Sequence, residues 1–214
     1  IIGPNGAGKT TLFNLVTGRL SLSSGKVFYQ GQDITNKPPH VLVRLGMCRT
    51  FQRTSIFPNS TVFENVRIAR QAHRGGSLRV LSAKESLKDV TEETQVILER
   101  VGLVEQADLP AKTLAHGDQR LLEVGIGLAG EPKLLLLDEP TAGMSSGEVK
   151  RTTQLIRGMV SQVAIVLVEH DMEVVMSISD KISVMHQGRI IAEGTPEEIQ
   201  QNKLVREAYL GTEG

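Results

Sequence analysis

Two stretches of the chain are apolar without interruption, LLLL at 134–137 and VAIVLV at 163–168, and polar residues bound both. Short apolar runs with no polar face predict strands covered on both sides, as in a parallel sheet. Elsewhere the period is helical. From Ser82 the apolar positions Leu87, Val90, Ile97, Leu98 and Val101 follow steps of three, four and seven up to Gly102, which predicts an amphipathic helix closed by glycine. The pairs Thr61 and Glu64, Ser82 and Glu85, Ser145 and Glu148, and Thr195 and Glu198 read as capping boxes, the last with Pro196 at the first helical position. Further helices are expected over about 146–160 and near 172–178, and KISVMH and RIIAEG read as short strands joined by Gln187-Gly188. Strand, helix, strand, helix predicts an α/β core. Between about Phe57 and Leu128 the patterns are helical only, so 57–128 is expected as a helical subdomain inserted into an α/β core of 1–56 and 129–194, with 195–214 as a helical tail.

Composition narrows the picture little. The 24 basic and 24 acidic side chains cancel, so no global field draws the chain to nucleic acid or anionic lipid. The single Cys48 cannot make an intramolecular disulfide, and its apolar surroundings, GMCRTF, suit a small buried hydrophobe. No apolar run reaches the ~18 residues that span a bilayer, so a membrane role would come through a partner. The basic group Arg67, Arg70, His73, Arg74 and Arg79 reads as a solvated face that could also touch a partner.

The opening IIGPNGAGKTT carries chemistry. Gly3, Gly6 and Gly8 let successive backbone N–H groups turn inward on one oxyanion, where a Cβ would obstruct. The spacing of Gly3, Gly8, Lys9 and Thr10 is that of a phosphate-binding P-loop, with Lys9 set to reach the β- and γ-phosphates and the Thr10 hydroxyl set to ligate Mg²⁺. The helix expected from about Thr10 adds its positive end. Gly3, Pro4, Asn5, Gly6, Ala7, Gly8, Lys9, Thr10 and Thr11 are thereby assigned to the phosphates of a nucleotide.

LLLLDEPT ends a buried strand in two acids. Asp138 emerges at the carboxyl end of that strand, where α/β sheets bind ligands, and can hold Mg²⁺ directly or through water. Glu139, one residue on, is placed to accept a proton from an attacking water. A second apolar strand ends in VEHD, which puts His170 in the corresponding place, as a γ-phosphate contact.

With GPNGAGKTT, FQRT, LLLLDEP and VEHD in this order over nearly the whole chain, the sequence resembles the nucleotide-binding subunit of ATP-binding cassette (ABC) transporters. The resemblance implies a P-loop NTPase of the ABC ATPase type, α/β with a mainly parallel core sheet and an inserted helical subdomain, and ATP with Mg²⁺ as cofactors. It implies that Gln52 links Mg²⁺ and the attacking water to a transport subunit, that Glu139 is the catalytic base, and that His170 senses the γ-phosphate. It also implies a second cassette placed head to tail, integral membrane permease subunits, indirectly a periplasmic solute-binding protein, no nucleic acid, and a peripheral place on the cytoplasmic face of the inner membrane. LAHGDQRLLE, RTFQRTSIFPNSTVFENV and GTPEEIQQNKLVREAYLG are similar to cassettes of bacterial importers for branched-chain amino acids and related small amides.

Two segments depart from the family pattern. Its signature usually reads LSGGQ, whereas Ala115, His116, Gly117 and Asp118 stand here, facing the partner's nucleotide in trans. Gly117 keeps the logic of a helix N-terminus aimed at phosphate, with the helix expected from about Gln119 and Asp118 expected as its cap. In TAGMS, Ser145 stands where the family often has Asp. Ala115 and Ser145 leave a hydrolysis-poor nucleotide-gated binding module as one alternative, and the same cassette used away from membranes is another. Ile1-Ile2 reads as the tail of a strand whose beginning is absent. The family pattern puts an aromatic that stacks on adenine upstream, so the expectation is a fragment lacking a few tens of residues and selecting weakly among bases.

Overall fold

The computed structural model of the chain describes residues 1–50, 56–74 and 83–210, with side chains described for 88–209 of the last range. Gln52, Arg79, Ser82 and the side chain of Leu87 lie outside the described residues. The described elements are helix α1 (Lys9–Val16), strands β1 (Phe28–Tyr29) and β2 (Gln32–Asp33), helix α2 (Pro39–Arg44), strand β3 (Met47–Arg49), helices α3 (Val62–His73), α4 (Ala83–Val101) and α5 (His116–Leu128), then β4 (Leu134–Asp138), α6 (Ser146–Met159), β5 (Ala164–Val168), α7 (Met172–Ile178), β6 (Ile182–His186), β7 (Arg189–Gly194), α8 (Pro196–Gln201) and α9 (Lys203–Leu210). They fall into two units, 1–45 with 136–139 and 166–214, and 46–135 with 140–165.

The apolar runs at 134–137 and 163–168 form β4 and β5, flanked by β3 in the order β3-β4-β5. The β4–β5 pair is parallel: Ala164 N–H donates to Lys133 O at 3.1 Å, and Glu139 N–H donates to Val168 O at 2.9 Å further along both strands. Leu135 and Leu137 are fully buried, as a strand covered on both faces requires.

In the first unit, Ile1 and Ile2 lie between the end of β5 and β6. The Ile1 nitrogen donates to Leu167 O at 2.6 Å, Ile2 N–H donates to Ser183 O at 3.0 Å, and Ile2 O accepts from Met185 N–H at 2.8 Å. The bridge from Ile2 to Val184 is parallel. Strands β6 and β7 pair antiparallel through Gln187-Gly188, both residues at positive φ, the geometry whose twist matches a hairpin. Gln30-Gly31 repeats that turn between β1 and β2, a hairpin that two-residue strands left invisible to sequence pattern. Thr195 and Glu198 form the expected capping box, and α8 and α9 pack on β7.

The second unit is built on α3, α4 and α5, which pack on one another. Val66, Leu98, Val101, Leu121 and Leu122 are buried among them, and Gly125 lets the helices approach, since a Cβ there would already touch Val101, Ile97 and Val66. At the start of α3 only half of the expected box forms. Thr61 Oγ1 accepts from Glu64 N–H at 3.1 Å, while the Glu64 carboxylate turns to Arg67, accepting from Nε at 2.8 Å and Nη2 at 2.7 Å.

Within the basic group the expectation of a solvated face fails at Arg70, while His73 and Arg74 are exposed. Arg70 is 5% exposed; its guanidinium donates to Glu93 and to Glu131, each at 2.6 Å, and to Ala129 O at 3.2 Å. Arg74 pairs with Glu93 and lies 3.7 Å from Asp89, and His73 lies 3.7 Å from Glu131. An isolated buried guanidinium is costly, so the fold supplies carboxylates from α4 and from the turn after α5.

Candidate nucleotide site

The loop from Gly3 to Gly8 starts where the chain leaves the sheet. An ideal Cβ on Gly3 would stand 2.1 Å from Met185 O, so no other residue fits without moving β6. The loop closes on itself through Ala7 N–H to Pro4 O at 3.1 Å, and Gly188 N–H from the β6–β7 turn donates to Ala7 O at 2.9 Å. Gly8, left-handed at φ 98, is the N-cap of α1, and no side chain caps that helix end. Its first amides are thus available to an anion, while Thr10 and Thr11 stand exposed on its first turn.

Lys9 is 8% exposed. Its ammonium folds back over the loop and donates to Gly3 O at 2.7 Å and Pro4 O at 3.1 Å. Burial pulls the Lys9 pKa down, and the charges of Glu139 and then Asp138 oppose that. The charges of the two strand-end acids thus act on the loop cation.

Asp138 closes β4 at 2% exposure. The backbone then turns left-handed at Glu139, φ 50, a conformation rare for a side-chain-bearing residue. Its N–H remains tied to Val168 O, so the turn reorients the side chain without breaking the pairing. At the end of β5, Glu169 is fully buried and accepts from His170 N–H at 3.2 Å. Its Oε2 lies 3.9 Å from Nδ1 of His170, whose side chain is 60% exposed. Sequence reading passed over Glu169; the signal was a charged residue directly after an apolar strand. It also passed over Tyr209 of α9, whose phenol pKa burial raises. The structure thus brings Gly3, Pro4, Asn5, Gly6, Ala7, Gly8, Lys9, Thr10, Thr11, Asp138, Glu139 and His170 into one unit.

Ala115, His116, Gly117 and Asp118 belong to the other unit. Helix α5 starts at His116, earlier than expected, with Ala115 as an N-cap that makes no side-chain bond. Asp118 is not the cap. It sits in the first turn, where its Oδ1 accepts from Arg151 Nη1 at 3.1 Å, because α6 brings a cation to it. Ser145 caps α6 with the expected box, Glu148 reaching back to the Ser145 amide at 2.9 Å and hydroxyl at 2.6 Å.

Residues 1–142 match the ABC transporter family model, and residues 189–214 match a second model, the branched-chain amino acid ATP-binding cassette transporter. The chain is 41% identical over 218 residues to the high-affinity branched-chain amino acid transport ATP-binding protein LivG of Escherichia coli K12, covering 99% of this chain and 86% of that protein. BraF of Pseudomonas aeruginosa, which bears the same description, is also 41% identical with the same coverage. Among solved structures, the ADP conformation of MJ1267, an ATP-binding cassette of an ABC transporter, superposes with a TM-score of 0.82 at 32% identity over 98% of this chain and 86% of that one. The cbiO1 subunit of Clostridium perfringens, part of the transporter complex cbiONQ, gives 0.80 at 26% identity over 99% and 82%. The P-loop geometry, the parallel β4–β5 pair ending in Asp138 and these matches together make the chain a member of the ABC transporter family, in its group of branched-chain amino acid ATP-binding proteins.

Proposed function

We propose that this chain binds ATP and hydrolyses it to power a membrane importer of branched-chain amino acids or related small amides. The transport reading rests on the family and on the names of relatives that match 99% of the chain. The site reading is carried by one observation: a buried Lys9 ammonium held on the Gly3 and Pro4 carbonyls, with the charges of Asp138 and Glu139 acting on it.

An arriving triphosphate offers oxygens that outcompete two neutral carbonyls for the ammonium, so Lys9 swings to the β- and γ-phosphates while the amides of the loop and of α1 take the rest of the charge. Thr10 and Asp138 offer hard oxygen donors that suit Mg²⁺; the role of Gln52 toward the ion rests on the family resemblance alone. When bound, Mg²⁺ neutralises charge building on the phosphate oxygens. Glu139 takes a proton from the attacking water as its oxygen bonds to the γ-phosphorus and the bridge to the β-phosphate breaks, leaving ADP and inorganic phosphate. His170, anchored by Glu169, reports the γ-phosphate. Ala115, His116, Gly117 and Asp118 close on the nucleotide of a second cassette.

Among the described residues no helix is long and apolar enough to cross a membrane. The importer reading therefore includes integral permease subunits, a peripheral place on the cytoplasmic face, and a periplasmic binding protein that delivers solute. The test is Glu139→Gln in the full-length protein assembled with the permease that co-purifies with it. Loss of general-base catalysis lowers turnover roughly 10²–10⁴-fold while nucleotide binding persists. Hydrolysis within a few fold of the parent would move the base elsewhere. Absence of a co-purifying permease would remove the transport role.

A further inference from the structure

Glu148 serves two helices at once. One carboxylate oxygen, Oε2, accepts from the amide and hydroxyl of Ser145 and so closes the N-terminus of its own helix, α6. The other oxygen meets α5. A Cβ built on Gly117 would stand 2.6 Å from Oε1 and 3.0 Å from Cδ, so the carboxylate lies directly against the first turn of α5. The α5 N-terminus has no side-chain cap of its own. One turn along α6, Arg151 adds a second tie, from Nη1 to Asp118 and from Nη2 to Gly102 O at 2.6 Å.

A carboxylate against a helix's first turn occupies the place of a bound anion. The proposed function sends the partner cassette's nucleotide phosphate to this same helix end. One helix end cannot seat both. We propose that Glu148 is a built-in stand-in for that phosphate: it lies against α5 at Gly117 while the cassettes are apart, and must leave it for them to close on nucleotide. As a positioning residue it raises the ATP concentration needed for closure. Through Ser145 it also links the state of α5 to the loop 141–145 that follows the strand-end acids. This inference rests on the reading of α5 as the phosphate seat.

The experiment measures the ATP concentration that half-dimerises the full-length protein, in a Glu139→Gln background so that the dimer does not turn over. Glu148→Gln keeps the hydrogen bonds to Ser145 and removes the charge; Glu148→Asp keeps an acid at this turn of α6, favourable for folding, but is one methylene too short for Gly117. Each is expected to lower the midpoint about two- to fivefold, the scale of one charge at a helix end, with nucleotide affinity of the separated cassette unchanged. A midpoint that is unchanged or raised in either folded variant overturns the inference. Gly117→Val separates the two readings. If it blocks dimerisation while the Glu148 variants do nothing, only the stand-in role fails; if it dimerises like the parent, α5 is not the phosphate seat.

Discussion

Asn65 holds Phe57 by both of its backbone groups: Phe57 N–H donates to Asn65 Oδ1 at 2.7 Å, and Asn65 Nδ2 donates to Phe57 O at 3.0 Å. Asn65 is 1% exposed, whereas the ring it supports is 55% exposed. A large apolar side chain held outward on a braced backbone has the form of a contact anchor. Phe57→Ala is expected to leave the melting temperature near that of the parent and to lower ATP hydrolysis stimulated by the assembled permease. Asn65→Ala strands two backbone groups and Thr61 O, which also accepts from Nδ2, and is expected to cost about 1–3 kcal/mol. Calorimetry and stimulated ATPase on the same preparations check both.

Gly3 and Gly6 both lie in the candidate phosphate loop, but only Gly3 is hemmed in. Gly3→Ala drives a methyl into Met185 O, 2.1 Å from its ideal position, and is expected to abolish folding of the strand pair around Ile2. Gly6 has nothing within 4 Å of an added Cβ, yet its φ is 77. Gly6→Ala is expected to fold with strain of about 1 kcal/mol or somewhat more and to bind nucleotide more weakly. Thermal melts and titration with a fluorescent nucleotide distinguish the two outcomes.

The Arg70 guanidinium holds the Glu93 carboxyl below the usual carboxylate range, chiefly through their hydrogen bond. A depressed folded-state pKa contributes stability above the unfolded value, about 4.3 for Glu, that fades as the pH falls through the folded value. Arg70→Met is expected to cost about 2 kcal/mol at pH 7, moderated by the partial exposure of both carboxylates. The gap to the parent is expected to narrow as the pH falls below about 4. Urea midpoints measured from pH 7 to pH 3 check this; a gap independent of pH would show that packing alone sustains it.

Cys48 is 7% exposed, and burial pushes its thiol pKa up. With both access and thiolate suppressed, the native chain is expected to react with maleimide only as fast as it opens. The labelling rate is expected to rise with urea in step with unfolding.

What the linear sequence determined is what short spans determine. β4 and β5 follow from unbroken apolar runs, and the caps at Thr61, Ser145 and Thr195 form because each bond spans three residues. That the glycine loop runs into a helix and that Asp138, Glu139 and His170 stand at or just past strand ends is legible, because these placements depend on spacing alone. Strands β1, β2 and β3, of two or three residues each, carry too few alternations to show a period. The remaining features needed the tertiary structure, because their partners are distant in sequence. Arg70 meets Glu93 and Glu131, 23 and 61 positions away, so an arginine that looked solvent-facing is in fact buried and paired. Asp118, a natural cap by type, is drawn to Arg151, 33 positions on, and Glu148 reaches Gly117 only because α5 and α6 pack together. Local rules set which backbone groups need partners; only packing decides which distant charge arrives to meet them.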